Sequence, residues 1–213
     1  MLGLLIKDFL TVKQQLRIML LLLIFYLILG ITTNNSSVLW TMFMVISAML
    51  LPITTMAYDE KANWDKYALS LPVSRKTIVL SKYLFGIILT LLSMIIAIPF
   101  TALMAYLSPE IEISILTTIV SIGDIIPIFL AVVLPIFFKF GTEKGRFVMM
   151  IVFFIPVLVI IYLAKTFGTN LDEFPLFRPE ILEILPYALP VLAFLLLLVS
   201  YRISLRIYCH KEF

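Results

Sequence analysis

Asp59-Glu60-Lys61-Ala62-Asn63-Trp64-Asp65-Lys66-Tyr67-Ala68-Leu69-Ser70-Leu71-Pro72-Val73-Ser74-Arg75-Lys76 is a charged stretch set between two long apolar runs, residues 38–58 and 80–107. Each run is long enough to cross a bilayer, which takes about 20 apolar residues per helix. Four more apolar runs flank this pair, near residues 16–33, 115–138, 147–165 and 181–201. Counted alternately from the N-terminus, the gaps divide the charges unevenly. One set carries 14 of the 16 Lys and Arg: Lys7, Lys13, Arg17, Lys61, Lys66, Arg75, Lys76, Lys82, Lys139, Lys144, Arg146, Arg202, Arg206 and Lys211. The other set carries only Lys165 and Arg178. Basic residues beside short loops resist translocation and so orient a membrane chain. The pattern predicts an all-α membrane protein of six transmembrane helices with both termini in the cytoplasm.

Composition agrees. Hydrophobic residues make up 62% of the 213, against about 45–50% in soluble domains. Six spans leave little for a soluble unit, so the chain reads as one transmembrane domain over 1–213. The net charge of +3 reads as an orientation signal and a contact with anionic lipid. Nucleic-acid binding is set aside, because no compact basic face with base-stacking aromatics is present. Cys209 is the single cysteine and falls on the reducing side. No cleavable signal peptide is expected.

Residues 1–15 precede the first run. Leu2, Leu5, Ile6 and Phe9 recur at helical spacing, with Lys7, Asp8 and Lys13 elsewhere on the wheel. This predicts an amphipathic helix in the inner interface; the other reading is the cytoplasmic end of the first span. The outer links are expected to be short. They are the polar turn Thr32–Ser37, a turn around Ser108-Pro109-Glu110, and a longer link from Phe167 to Pro179 whose aromatics could rest on the outer interface. Run 80–107 exceeds the bilayer's need and either projects or bends, with Pro99 a place to bend.

Within the opening stretch, Trp64, Tyr67, Ala68 and Leu71 share one helical face. A two-turn helix is expected, ended before Pro72, with Ser74 as N-cap of the next helix. Such a short helix between two spans could anchor a soluble partner, or it could face lipid headgroups. The other informative inner stretch is Phe138-Lys139-Phe140-Gly141-Thr142-Glu143-Lys144-Gly145-Arg146, where two glycines permit a tight turn. No phosphate-binding G-x-x-x-x-G-K-[ST] spacing occurs in the chain, so ATP hydrolysis is not expected here.

Two segments together resemble a known family. They are Asp59-Glu60…Trp64…Tyr67…Leu69-Ser70-Leu71-Pro72-Val73-Ser74-Arg75…Val79-Leu80-Ser81-Lys82-Tyr83-Leu84 and Leu134-Pro135-Ile136-Phe137-Phe138 leading into Lys139–Arg146. They are similar to the corresponding parts of ABC-2-type exporter permeases, within a subgroup of bacterial peptide exporters that includes phenol-soluble modulin exporters and antimicrobial-peptide resistance pumps. The resemblance extends to the six-span layout. It implies that Glu60, Trp64, Tyr67, Leu69, Ser70, Leu71, Pro72 and Arg75 form a coupling helix docked on a separate ABC ATPase subunit. Lys139, Gly141, Glu143, Lys144 and Arg146 would form a second inner contact. ATP and Mg are then expected in the partner, with no cofactor in this chain. No fused ATPase and no large outer domain are expected.

Intramembrane chemistry finds little material. His210 and Cys209 sit at the C-terminus, and zinc would need a cluster of ligands. Asp124, in Ser121-Ile122-Gly123-Asp124-Ile125-Ile126-Pro127, is the one acid within a run. An acid at that depth faces a cavity or a partner, so Asp124 is a candidate for the substrate path; the other reading places it in the outer interface. The reading taken forward is a permease of the bacterial plasma membrane, working as a homodimer or with a sister subunit. It would export hydrophobic or amphipathic peptides. The alternative is a non-transporting anchor, sensor or immunity protein that binds a soluble partner. An ion-coupled transporter would want several ionisable groups at mid-membrane.

Overall fold

The computed structural model describes residues 1–13, 15–32, 36–107, 115–167 and 179–211, and these are helical with no strand among them. Seven helices follow in order: α1 (Leu2–Lys13), α2 (Leu16–Thr32), α3 (Ser36–Lys61), α4 (Trp64–Ser70), α5 (Arg75–Leu107), α6 (Ile115–Phe167) and α7 (Pro179–Cys209). The expected outer turns at Thr33–Asn35, Ser108–Ser114 and Gly168–Arg178 lie outside the described residues.

Four stretches are long and apolar enough to cross a membrane: Thr41–Lys61, Arg75–Pro99, Thr118–Ile155 and Ala188–Cys209. The bent pair Leu2–Lys13 and Arg17–Tyr26 makes five when taken as one span. The longest stretch is not a straight rod. Gly141 breaks α6 with φ 77° and ψ 177°, a conformation all but reserved for glycine. Phe129 and Phe153 lie twelve residues to either side of it, and their rings stack with centroids 5.3 Å apart. In a straight helix they would be about 36 Å apart. Helix α6 is therefore a hairpin of two arms, residues 115–140 and 142–167. Close approach just past the bend depends on Gly145, where a Cβ would lie 2.2 Å from the Phe137 ring.

Several expected boundaries move. The loop over Phe138–Arg146 shrinks to a single non-helical residue, because nothing in Lys139-Phe140 or Thr142–Lys144 opposes helix on either side of Gly141. Helix α3 continues to Lys61, past the apolar run that ends at residue 58, and α5 begins at Arg75, directly after the expected N-cap Ser74. Most of the charged stretch therefore lies on helix ends, with only short connections at Ala62-Asn63 and Leu71–Ser74. Helix α1 forms as expected, but its bundle-facing side runs through Leu4, Asp8 and Val12. Of the expected apolar face, Leu5 packs against buried residues and Phe9 lies against the Phe85 ring, whereas Leu2 and Ile6 point outward, with Leu2 77% exposed. That stripe suits a lipid surface, and Asp8 is turned inward because a cation awaits it, as described below.

The core lies where α3, α5 and the first arm of α6 meet. Ala48, Val79, Ile122, Leu130, Val133, Leu134 and Phe137 are all buried there. Buried polar links tie α7 to this centre: the Tyr83 hydroxyl lies 2.6 Å from Ser200 Oγ and 2.8 Å from Ser204 Oγ. Large apolar side chains on α2, the second arm of α6 and α7 face outward, Phe147, Phe154 and Phe194 among them. An envelope of that kind is stable in hydrocarbon rather than in water.

Candidate functional site

The charged stretch becomes a compact unit because each break in it has a local cause. Helix α3 ends at Lys61 and Asn63 turns the chain with φ 50°, a left-handed conformation that Asn tolerates better than most residues. Helix α4 then runs for seven residues and stops at Leu71, which is extended, as the residue before a proline prefers. Ser74 caps α5 as expected: the Thr77 N–H donates to Ser74 Oγ at 3.2 Å.

Four charges gather where α1, α3 and α5 meet. Lys82 Nζ lies 2.8 Å from Asp8 Oδ1 and 2.6 Å from Asp59 Oδ2. Lys7 Nζ lies 2.5 Å from Asp59 Oδ1 and 3.2 Å from Asp8 Oδ1. Two cations and two anions thus close a neutral square. The side chains of Asp8 and Lys82 are 1% and 6% exposed. Charges so far from water persist only when each is compensated. Lys82 adds a contact to Thr55 Oγ1 at 3.4 Å. Lys7 reaches further and sits 4.4 Å above the Trp64 ring, joining α1 to α4.

Two more ties complete the unit. Glu60, on the last turn of α3, accepts hydrogen bonds from the backbone N–H and the hydroxyl of Thr142. Thr142 opens the second arm of α6, so Glu60 caps that arm, and a carboxylate suits the positive end of a helix. On the other side the Tyr208 hydroxyl donates to Asp65 Oδ1 at 2.9 Å. Arg75 Nη1 donates to the carbonyl of Cys209 at 2.6 Å and to that of Tyr208 at 3.3 Å, at the C-terminal end of α7. A small cavity of about 40 Å³ sits among Asp59, Glu60, Asp65, Lys82, Thr142 and Lys211. One end of the bundle therefore holds the start of α1, the α3–α4–α5 connection, the α6 bend and the end of α7. These segments carry most of the basic set, and the first and last described residues, Met1 and Lys211, belong to them.

The sequence-predicted residues divide by exposure. Tyr67 is 57% exposed and Leu71 37%, while Ser70 and Pro72 also face outward. Trp64 is half-buried under Lys7 with its ring 5.4 Å from that of Tyr67. Leu69 packs against the core. Arg75 is engaged with α7 and Glu60 with α6. Lys139, Glu143, Lys144 and Arg146 are exposed around the bend at Gly141. The two inner segments thus meet through the Glu60–Thr142 contact. Asp124 stands apart: it is 3% exposed on the first arm of α6, about 26 Å of helix from Gly141. Sequence reasoning did not find Asp8, Lys82, Thr142 or Tyr208. A signal existed for Lys82, since a cation inside an apolar run needs a named partner. Among the described residues no group of three His, Cys, Asp or Glu could hold a metal ion.

The family described as "ABC-2 family transporter protein" matches residues 3–209. No curated protein and no solved structure matches the chain.

Proposed function

Because the chain belongs to the ABC-2 family of transporters, we propose that it is the membrane subunit through which a separate ABC ATPase drives export, with α4 as the docking element. Membership makes it a multi-pass membrane component of a transporter; the rest is our reading. Counting α2, α3, α5, both arms of α6 and α7 gives six crossings, with the basic end of the bundle in the cytoplasm under the positive-inside rule. The membrane is then the bacterial plasma membrane. ATP and its magnesium ion are held by the partner.

The observation that carries this reading is the way α4 is mounted. Its outer side offers Tyr67 and Leu71, and aromatic side chains make strong anchors in a partner's groove. Its inner side is joined to α1 through Lys7 and to α7 through Asp65, while the flanking residues Glu60 on α3 and Arg75 on α5 tie to the α6 bend and to α7. A push on α4 therefore reaches α3, α5, α6 and α7 at one end. The cargo is hydrophobic or amphipathic, most simply a peptide, since an apolar passage accepts what it resembles. Two permease subunits, identical or sister, would enclose that passage.

The test is to co-express the chain with a candidate ABC ATPase subunit, reconstitute the complex and measure ATP hydrolysis with and without an amphipathic peptide. Tyr67→Ala with Leu71→Ala is expected to lower stimulated hydrolysis at least tenfold, about 1.4 kcal/mol of lost coupling. Unchanged complex formation and unchanged stimulation would reject docking at α4, whereas an unaltered chain that forms no complex and gives no stimulation would favour a non-transporting membrane protein.

A further inference from the structure

An apolar groove of about 310 Å³ opens between α1, α2, α3 and α5. Its floor is buried side chains: Val12, Met44, Ala48, Leu51 and Leu89. Its rim is exposed on the outer surface of the bundle, at Leu20, Leu92 and Ile96. The groove thus opens sideways, on the apolar envelope of the bundle. At the ~30 Å³ that a water takes up in the liquid, it has room for about ten heavy atoms. Its two polar side chains are turned away from a guest. Ser47 Oγ donates to the Met44 carbonyl at 2.9 Å, and Ser93 Oγ donates to the Leu89 carbonyl at 2.9 Å. A peptide backbone laid here would leave its carbonyls without a donor, which is costly in hydrocarbon. A hydrocarbon chain leaves nothing unsatisfied.

Charge identifies the rest of the guest. Lys13 and Arg17, both exposed, flank the junction of α1 and α2. Lys13 lies four residues from Phe9, and Arg17 three from Leu20, so each shares a helix face with a residue that lines the groove. The geometry points to a binding site for one acyl chain of an anionic phospholipid, with the phosphate held at Lys13 and Arg17. This goes beyond export and needs only the membrane-spanning fold, so it stands or falls separately from ATPase docking.

The probe is phosphatidylglycerol against phosphatidylcholine. The full chain is purified from vesicles of equal parts of the two, stripped with detergent, and the retained lipid counted by native mass spectrometry. One lipid per chain is expected, with phosphatidylglycerol favoured roughly tenfold, the order of effect of two cations beside an anionic headgroup. Ser47→Phe, which fills the groove, is expected to abolish retention with the thermal midpoint held. Lys13→Gln with Arg17→Gln is expected to leave a chain bound but bring the preference near unity, and this pair decides the matter should Ser47→Phe fail to fold. Equal retention of both lipids by the unaltered chain would overturn the proposal. So would retention undisturbed in folded Ser47→Phe. Mole-for-mole displacement by an amphipathic peptide would make the occupant a peptide, and cross-linking of Leu92→Cys to a second chain would make it a copy of this one.

Discussion

Lys82 shows how one side chain sets the geometry of the basic end. It is drawn inside by two carboxylates, one on α1 and one on α3, and it holds both within 2.8 Å. Removing one member of a buried ion set leaves the others uncompensated, which costs about 3–5 kcal/mol. Lys82→Met is therefore expected to lower the unfolding free energy by about that amount in mixed-micelle denaturation. Adding Asp8→Leu removes one carboxylate facing Lys82 and should recover part of the loss. If Lys82→Met unfolds like the unaltered chain, the square of charges contributes nothing to stability. Lys7 differs, being closer to solvent and shared with the Trp64 ring, so its loss is expected to loosen α4 more than to unfold the bundle.

Among the elements, the α6 hairpin depends most sharply on one position. A Cβ at Gly141 would lie 2.5 Å from Glu60 Oε1, and its backbone conformation costs other residues about 1–3 kcal/mol. Gly141→Ala is expected to be destabilising by at least that range and to release the Glu60 cap. Faster hydrogen exchange at Thr142 and its neighbours would report the release, while exchange as slow as in the unaltered chain would contradict it. Much of this element plan was legible in the chain. Apolar run lengths located the long helices, Pro72 and Ser74 marked the α4–α5 junction, and the paired glycines marked the reversal. The hinge's brevity was not legible, since glycine permits a turn without saying how far helix persists on either side. Nor was the buried face of α1 legible. Periodicity chose Leu2, Leu5, Ile6 and Phe9, whereas a charge partner 74 positions away turned Asp8 inward. Long-range pairing of that kind leaves no mark in a local window.

At the scale of the whole molecule, the division of charges seen along the chain becomes a division of the bundle. The segments rich in Lys and Arg converge through Lys7–Asp59, Glu60–Thr142, Tyr208–Asp65 and Arg75 with the end of α7. A bundle whose helices are tied at one end and apolar along their outer sides is suited to rocking motions started at the tied end. Which way that end faces decides whether an ATPase can reach it. The direct measurement is labelling of Tyr67→Cys in a Cys209→Ser chain with a membrane-impermeant maleimide, in intact cells and in inverted membrane vesicles. Labelling confined to the inverted vesicles is the expected result. Labelling of intact cells would put α4 outside, where no nucleotide-driven partner could hold it.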